Sequence, residues 1–417
     1  MTRRTAGRSA TSTYLMYDHP GGPMGHLRLV DGLRAVAAGL VLVSHVAFWT
    51  GAANIDLVGG LVARGDAGVA VFFAISAFLL LRPAIARGLD GVAGEPGSLS
   101  RYAVRRATRI LPAYWLALAG VLAAAVWVVG SGSGGAGKVA AHVLVLQGYT
   151  GEYYQSFTQT WSLTTEVTFY VLVPLLGAVL TRGLWRRGSR GVGTLVGLTL
   201  AVGGVGLVAQ AVAAAWTRAG SDGGAGVLAT SVLGHLAWFG AGTVVALLAE
   251  GHRRGVGPLA TRPGLLAVWR SRPTLVLLAV VTYVLASSPI AGPRDLAAPT
   301  VGQAVVKEAL YALFAFLLLA ACVQEPRPGT PAAQVARWGV TRWLGDISYG
   351  VFLWHLVVLQ VLFEVTGATL FATGFWWVLY AVVGFSVALA SLSWMLVERP
   401  ILTLARDRTA RDRAARA

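Results

Sequence analysis

Runs of about 20 apolar residues, separated by short polar stretches, recur along the whole chain. Each run is long enough to cross the ~30 Å hydrocarbon core of a bilayer as a helix. No stretch between them has the character of a soluble domain. The pattern predicts ten spans, at about 29–50, 68–86, 107–129, 160–181, 192–216, 227–249, 274–290, 301–322, 343–364 and 374–397. We therefore expect an all-α polytopic membrane protein with about ten transmembrane helices.

The composition agrees with this prediction. Hydrophobic residues make up 56% of the 417 positions and charged residues only 12%, about half of the ~25% that soluble domains contain. The single cysteine, Cys322, excludes an intramolecular disulfide and a cysteine metal cluster. The histidines show no metal-ligand spacing such as HExxH, so no metal is expected.

The net charge of +16 follows the predicted topology. With both termini on one side, only five of the 34 lysines and arginines lie on the other side, namely Arg64, Lys138, Arg218, Arg294 and Lys307. Cytoplasmic loops carry such an excess of basic residues, which places both termini in the cytoplasm. The charge is therefore a topology signal, and no nucleic-acid partner is expected.

The chain divides into three predicted parts. Residues 1–26 are polar and are expected to form a disordered cytoplasmic segment. They do not resemble a signal peptide, because the apolar segment after them is long and lacks a convincing cleavage site. Residues 27–402 form the predicted membrane domain, and residues 403–417 are predicted to be a basic cytoplasmic tail.

Two ionisable residues share one face of the first predicted span. Arg34 lies near its start, and His45 follows after ten intervening residues. Eleven steps of ~100° bring His45 within ~20° of the face of Arg34, roughly 16 Å deeper. Because an ionisable side chain in hydrocarbon costs at least ~2.5 kcal/mol, the two residues indicate a polar site inside the bundle.

Two further ionisable residues lie within predicted spans. Glu166 is about six residues from the outer end of the fourth span, at a depth similar to that of His45, so the two could form a base and the group that orients it. The spacing leaves open that they are unrelated and bond to other helices. His355, beyond Tyr349 in the ninth span, is either a functional residue or a structural hydrogen-bond partner.

A cluster of arginines stands at the cytoplasmic entrance of the third span, in the segment RYAVRRATRILPAYW. Its members Arg105, Arg106 and Arg109 could bind phosphate groups through paired hydrogen bonds. The alternative is that they are ordinary flanking charges or contact anionic lipid headgroups.

Several segments, in order along residues 27–402, together resemble the acyltransferase-3 family of bacterial membrane O-acyltransferases. They are LRLVDGLRAVAAGLVLVSHVAFW, GVAVFFAISAFLLLRP, RRATRILPAYWLAL, TWSLTTEVTFYVLVPLL, LGDISYGVFLWHLVVL and VERP. The family's pattern of a basic residue, ten residues and a histidine matches Arg34 and His45. Its tryptophan–serine–leucine–glutamate motif matches Trp161, Ser162, Leu163 and Glu166.

The chain departs from the family pattern at two positions. Ala77 stands where the family usually has glycine, and Val167 follows Glu166 where a second acidic or polar residue is frequent. This leaves Glu166 as the only carboxylate of that motif.

The resemblance implies transfer of an acyl group, commonly acetyl, from a cytoplasmic thioester such as acyl-CoA to a hydroxyl of a glycan or glycosylated small molecule. His45 would deprotonate the hydroxyl, and Glu166 would orient the imidazole or carry the proton onward. Acyl-CoA is the expected co-substrate. Its phosphates would be held by Arg34, Arg105, Arg106 and Arg109. Further candidates for the site are His355, Trp161 and Tyr349.

The acceptor and even the class of activity have alternatives at this level. An enzyme of the same family could acylate a secondary metabolite, such as a macrolide sugar. Interior charge among ten helices would also suit a transporter or flippase of an amphiphile, although inverted repeats and paired broken helices are not visible. Membrane lipids are the expected surroundings, and the bacterial plasma membrane is the expected location.

Overall fold

The computed structural model describes residues 27–55, 58–91 and 98–414, and all regular structure in these ranges is helical. The N-terminal segment 1–26 and the last three residues of the predicted tail lie outside the described residues. The described part contains the helices α1 (Arg28–Thr50), α2 (Val58–Ala63), α3 (Ala67–Leu89), α4 (Leu99–Trp127), α5 (Ala136–Val143), α6 (Gln147–Thr150), α7 (Trp161–Arg187), α8 (Gly191–Arg218), α9 (Asp222–Thr230), α10 (Leu236–Arg253), α11 (Pro258–Thr261), α12 (Pro263–Arg270), α13 (Arg272–Ala286), α14 (Val301–Cys322), α15 (Pro331–Arg337), α16 (Gly339–Thr366), α17 (Phe375–Ser393) and α18 (Arg399–Ala414).

Eight helical segments of the described chain are long and apolar enough to cross a membrane, and they correspond to eight of the ten predicted spans. They are Arg28–Thr50, Val58–Leu89, Leu99–Trp127, Gln155–Arg187, Gly191–Arg218, Val301–Cys322, Gly339–Thr366 and Phe375–Ala405. The all-α, polytopic membrane fold is therefore confirmed.

The predicted seventh span, at 274–290, is a bent helix pair. α12 and α13 meet at Ser271 with an angle of 82° between them, and counted together they make a ninth candidate span. Pro273 lies in the first turn of α13. Proline suits the first turn of a helix, which agrees with a new helix beginning here.

The predicted sixth span, at 227–249, is interrupted between α9 and α10. Neither part alone is long and apolar enough to count as a span. At the interruption, a Cβ on Gly234 would lie 2.5 Å from the carbonyl oxygen of Leu228. Only glycine permits this close approach, so the break is specified locally by the sequence.

The helices α1, α3 and α16 form the centre of the bundle. α1 packs against α16 and α3, and α3 packs in turn against α7 and α10. In α16, 78% of the apolar stretch is buried in the protein, against 22% for the segment that contains α17. Side chains that these three helices direct inward are therefore surrounded by protein.

α1 and α3 approach each other closely at the start of α3. A Cβ on Gly65, just before α3, would lie 2.0 Å from the carbonyl oxygen of Leu40 and 3.2 Å from the Cβ of Ser44. Small residues at such positions let membrane helices meet at backbone distance. The approach fixes the start of α3 beside the turn of α1 that precedes His45.

α1, α4 and α16 run in the same direction. Along α1 and α16, Gly345 lies against Asp31 and His355 lies against His45. Along α4 and α16, Tyr349 bonds to Ile110 and Trp354 lies against Gly120. We call the end at which these three helices begin the basic end. It carries the arginines predicted to hold the donor, which are Arg34, Arg105, Arg106 and Arg109.

Two segments complete the bundle. Between α4 and α7, the helices α5 and α6 and a 3-10 helix, Gln155–Thr160, cover the end opposite to the basic end, and the last of these packs against α16. After α17, one stretch of π-helix, Trp394–Glu398, leads into α18. The predicted tail thus continues as helix to Ala414.

Candidate active site

His45 lies near the end of α1, and its ring is partly exposed. Its Nδ1 lies 2.9 Å from the carbonyl oxygen of Val41, one turn earlier. A carbonyl oxygen can only accept a hydrogen bond, so this contact assigns the proton to Nδ1. Nε2 is then the basic nitrogen. It has no hydrogen-bond partner among the described residues. It is also not among the fully buried polar atoms that lack a partner, so part of its surface is accessible.

His355 is fully buried on α16 and contacts His45 directly. Its Nδ1 lies 3.2 Å from the carbonyl oxygen of Val351, which assigns its proton to Nδ1 as well. Its Nε2 lies 3.2 Å from Nδ1 of His45, and the two ring centroids are 5.1 Å apart. The lone pair on Nε2 of His355 is therefore a second acceptor for the Nδ1–H of His45.

The two histidines thus form a directional pair. The N–H of His45 faces two acceptors, the Val41 carbonyl and the His355 imidazole, so both its tautomer and its ring orientation are fixed. The arrangement leaves one free basic nitrogen in the outer part of α1. His355 is thus a hydrogen-bond partner of His45, which is itself a candidate catalytic residue.

Glu166 lies on α7 and faces α3. Its Oε1 accepts hydrogen bonds from the hydroxyls of Ser76 on α3 and Tyr170, one turn along α7. Within the described residues, the structure does not bring Glu166 into a hydrogen bond with His45. The ring partner of His45 is His355 instead.

Glu166 lies nearer the basic end than the histidine pair. It lines a cavity together with Tyr349 of α16, and Tyr349 is six residues before His355, about 9 Å nearer the basic end by the helical rise.

The three clustered arginines face two ways. The guanidinium carbon of Arg106 lies 5.8 Å from the ring centroid of Tyr170, and that of Arg109 lies 5.8 Å from the ring centroid of Trp394. Arg105 is exposed, and its Nε donates to the carbonyl oxygen of Arg101 at 3.3 Å. Residues three apart share a helix face, so Arg106 and Arg109 point inward together.

A chain of contacts leads from the inward arginines to the carboxylate. Arg106 lies over the ring of Tyr170, and the hydroxyl of Tyr170 donates to Glu166. Tyr102 of α4 fixes this part of α7 by donating to the backbone carbonyl of Tyr170 at 2.9 Å. The Nε of Arg106 is buried without a hydrogen-bond partner in the described chain.

Arg34 remains at the basic end and is not adjacent to His45. Its Nη1 lies 3.5 Å from Oδ1 of Asp31, and its side chain is 23% exposed. The eleven residue steps from Arg34 to His45 correspond to about 16 Å of helix. The shared face thus runs from the basic end to the histidine pair, as the spacing predicts.

Trp161 and Tyr349 occupy different places. The ring of Trp161 lies 5.3 Å from that of His235, which forms a buried pair with Glu308 through Nδ1 and Oε2 at 3.1 Å. Tyr349 lies within the site: its hydroxyl donates to the carbonyl oxygen of Ile110 at 3.3 Å, and its ring borders the cavity beside Glu166. Trp161 therefore belongs to the surrounding packing, whereas Tyr349 lines the site.

Comparison with known proteins decides the family. The model of the family described as "Acyltransferase domain" matches residues 28–395, which is most of the chain. The chain belongs to this acyltransferase family. The enzyme is thus a multi-pass membrane acyltransferase, and the transporter reading is not supported.

Two relatives align along nearly the whole acyltransferase. Nodulation protein 10 of Rhizobium leguminosarum bv. viciae is 28% identical, covering 93% of this chain and 96% of the relative. A protein of Komagataeibacter xylinus named "Putative membrane-bound transacylase BcsY" is 27% identical, covering 90% of this chain and 83% of the relative. No solved structure matches the chain.

The candidate site contains residues that were not predicted from the sequence. Ser76 belongs to the FFAIS segment, and Tyr170 follows Glu166 at the four-residue spacing of one helix face, so both left a signal. Glu398 of the closing VERP segment is a further buried carboxyl that was not predicted, and it does not line the cavity beside Glu166. It is buried in the π-helix beside Trp394, with Oε1 accepting from Ser393 at 3.1 Å and Oε2 unpartnered among the described residues. π-Helical turns are frequent at functional sites.

Proposed function

We propose that this acyltransferase moves an acyl group, acetyl in the first place, from acyl-CoA to a hydroxyl of a glycan or glycosylated small molecule. The observation that carries the proposal is the free Nε2 of His45. A hydroxyl is a weak nucleophile at neutral pH and needs a positioned base. His45 offers such a base, because its other nitrogen is held as a donor by Val41 and His355.

In the proposed step, Nε2 of His45 takes the proton of the acceptor hydroxyl while the oxygen attacks the thioester carbonyl carbon. The C–S bond then breaks, and His45 returns the proton to the departing sulfur. The products are the O-acyl ester and free CoA thiol. During the step the imidazolium of His45 is stabilised through its Nδ1–H by the lone pair of His355 and the Val41 carbonyl.

The donor would enter from the basic end. Arg106 and Arg109 point inward there, and Nε of Arg106 has no partner in the described chain. Guanidinium groups bind phosphate oxygens through charge-assisted hydrogen bonds, so these two arginines suit the phosphates of CoA. Arg34, on the α1 face that leads to His45, adds positive charge at the same end.

Glu166 lies between the arginines and the histidine pair. Its Oε1 accepts from Ser76 and Tyr170, whereas Oε2 has no hydrogen-bond partner among the described residues. In the proposed complex Oε2 accepts a hydrogen bond from an N–H or hydroxyl of the substrates. The role of Glu166 is thus to position a substrate and not to orient His45.

The distribution of charge supports a cytoplasmic basic end and a plasma-membrane location for the enzyme. Basic residues concentrate at cytoplasmic loops of membrane proteins. This orientation puts the arginines on the side where acyl-CoA is made. The proposal of a glycan acceptor rests on the family resemblance. One relative is named a putative membrane-bound transacylase, and that name agrees with the transfer of an acyl group from one molecule to another.

The test combines an assay with chemical analysis. Purified enzyme with acetyl-CoA should release free thiol only when an acceptor extract from a deletion strain is added. His45→Ala should lower that release by about 10²-fold or more, the usual contribution of a general base. Mass spectrometry of glycans and metabolites from the deletion strain, compared with the complemented strain, should identify the ester that is lost. Near-normal transfer by His45→Ala, with the protein present, would overturn the assignment.

A further inference from the structure

An ion pair that the proposed mechanism does not use lies beside the histidine pair. Nζ of Lys307, on α14, lies 2.7 Å from Oδ2 of Asp66, which ends the 3-10 helix Arg64–Asp66 just before α3. The hydroxyl of Tyr311, one turn further along α14, donates to Oδ1 of the same carboxylate. Tyr311 is buried. Two donors from α14 therefore hold the carboxylate of Asp66 at a fixed place between α3 and α14.

The 3-10 helix that carries Asp66 is itself anchored on two sides. The side chain of Arg64 is buried, and its Nε donates to the carbonyl oxygen of Ala286, at the end of α13, at 3.1 Å. On the other side, Gly65 lies at backbone distance from α1. Asp66 is thus held against α1 as well as against α14, and its negative charge attracts the imidazole of His45.

The proposed base faces the gap between α3 and α16. On α1, Val41 contacts α3, whereas Asp31 contacts α16. At ~100° per residue, His45 lies between these two contacts, ~40° around α1 from each of them. Its Nδ1 faces His355 on α16. Because the two ring nitrogens of an imidazole point in divergent directions, Nε2 points away from His355, toward the side of α1 on which Asp66 lies.

The ion pair is accessible although it lies within membrane-spanning segments. The side chains of Asp66 and Lys307 are 37% and 34% exposed, and the two residues belong to the candidate spans Val58–Leu89 and Val301–Cys322. Lys307 lies six residues into its span, about 9 Å by the helical rise. Charged side chains at such a depth face protein or water and not lipid. The exposed surface of the pair therefore lies in a water-filled crevice toward the end opposite to the basic end.

The pair offers hydrogen-bond donors and acceptors side by side. A carboxylate has about four lone-pair sites, and an ammonium has three N–H groups. Among the described residues, the carboxylate of Asp66 accepts from Lys307 and Tyr311, and Lys307 donates to Asp66, so both groups keep unused sites. Each hydroxyl of a sugar both donates and accepts, and the opposite charges of the pair leave no excess of either sign. The crevice therefore suits the neutral hydroxyls of a sugar.

We propose that Asp66 and Lys307 form the acceptor subsite of the enzyme and bind neighbouring hydroxyls of the acceptor sugar. One hydroxyl donates to the carboxylate of Asp66, and the oxygen of the next accepts from Nζ of Lys307. A further hydroxyl is then presented to Nε2 of His45. The proposal rests on the proposed function, since it assumes a hydroxyl acceptor and His45 as the base. Asp66 and Lys307 are binding residues, and neither takes part in proton transfer.

The experiment measures acceptor binding and donor binding separately. Thiol release is followed at saturating acetyl-CoA while extract from a deletion strain is titrated, which gives an apparent KM for the acceptor. Donor binding is followed by thermal stabilisation of the purified enzyme with acetyl-CoA. Asp66→Asn and Lys307→Met should each raise the apparent KM for the acceptor by about tenfold or more, because each removes a hydrogen bond to a charged group. Thermal stabilisation by acetyl-CoA should remain that of the wild type.

Two further variants separate acceptor binding from packing. Lys307→Arg keeps the positive charge and the N–H donors, so it should retain most of the affinity for the acceptor. Lys138→Met is the matched control. Nζ of Lys138, on α5 at the same end of the bundle, lies 4.4 Å from the ring centroid of Tyr154, much as Nζ of Lys307 lies 5.3 Å from that of Tyr311. This variant loses a comparable lysine from another helix and should leave the apparent KM unchanged.

The outcomes separate the subsite from the proposed function. An unchanged apparent KM in Lys307→Met, with an active wild type, would overturn the subsite and leave the acyltransferase mechanism intact, as expected if the ion pair only stabilises the fold. This variant decides alone if Asp66→Asn fails to fold. A rise of the same size in Lys138→Met, or an equal loss of acetyl-CoA binding, would overturn the subsite too. Absence of transfer from acetyl-CoA by a folded wild type would overturn the proposed function and the subsite with it.

The extract itself tests the chemistry of the acceptor. Periodate cleaves the carbon–carbon bond between neighbouring hydroxyls, so extract treated with periodate should lose its acceptor activity with the wild type, whereas mock-treated extract should keep it. Full acceptor activity after the treatment would overturn the binding of neighbouring sugar hydroxyls.

Discussion

Nε2 of His355 lies 3.2 Å from Nδ1 of His45, and each ring holds its own Nδ1 proton on the carbonyl one turn earlier in its helix. The pair therefore has a direction: His45 donates toward His355 and keeps its own Nε2 free. Helix geometry sets this direction, because a backbone carbonyl cannot donate. His355 then takes the place that a carboxylate would occupy as the partner of a catalytic imidazole.

Removing His355 should impair catalysis and spare donor binding. His355→Ala deletes the acceptor for the Nδ1–H of His45, so we expect kcat to fall by about 10–10²-fold, the value of one hydrogen bond to a charged group. The KM for acetyl-CoA should change little. His355→Gln, which can place an amide oxygen near the former Nε2, should recover part of kcat. Equal losses in kcat and in donor binding would indicate a packing role instead.

Ser76 and Tyr170 should act through Glu166. Each donates to the same oxygen, so Ser76→Ala and Tyr170→Phe should each lower kcat/KM by about tenfold, and the double variant should lose less than the product of the two. In a Glu166→Ala background, which has no acceptor for either hydroxyl, neither change should matter further. This double-mutant cycle is measured by thiol release. Fully additive losses would show that the hydroxyls do not work through the carboxylate.

Replacing an inward arginine should weaken donor binding more than replacing the outward Arg105. Arg106→Ala removes a guanidinium with an unpartnered, buried Nε, and it should weaken acetyl-CoA binding by about tenfold or more. Arg106→Lys should not restore it, because an ammonium lacks the fork geometry. Arg105→Ala, at an exposed position of the same helix, should have a much smaller effect. Equal weakening by both would favour a general charge effect at the membrane surface.

Spans and candidate residues could be predicted from the sequence because both depend on local patterns. Apolar runs marked eight continuous spans, and the eleven-residue interval placed Arg34 and His45 along one face of α1. The two broken spans escaped prediction because total hydropathy does not register an interruption. Gly234 and Pro273 are local signs of these interruptions.

The hydrogen-bond partners of His45 and Glu166 could not be predicted, because they depend on which helices pack together and where each helix begins. α16 begins at Gly339, before the predicted 343, so His355 stands about as far from its helix start as His45 does from Arg28. That correction brings the two imidazoles to one level. The helix that carries Glu166 begins at Trp161, close to the predicted start, and Glu166 bonds to Ser76 because α7 packs against α3. Which helices pack together thus decided the partner of the base.

At the basic end, outside the spans, an ion pair between Asp90 and Arg254 predicts a pH dependence of stability. Nε and Nη2 of Arg254 donate to the two carboxylate oxygens at 2.7 and 2.9 Å. These hydrogen bonds hold the pKa of Asp90 below its usual range. A carboxyl whose pKa is lowered by folding stabilises the fold above its unfolded-state pKa of about 3.9. That contribution is lost as the pH falls through the lower, folded-state pKa.

Asp90→Asn should therefore lower the Tm of the detergent-solubilised enzyme slightly at about pH 7, because exposed ion pairs contribute little. The difference from the wild type should shrink to nothing as the pH drops below the usual aspartate range. Thermal melts from about pH 7 to about pH 3 measure both curves. Glu364→Gln, at an exposed carboxylate without an ion pair in the described chain, is the matched control. A constant difference across this range would contradict the assigned ion pair.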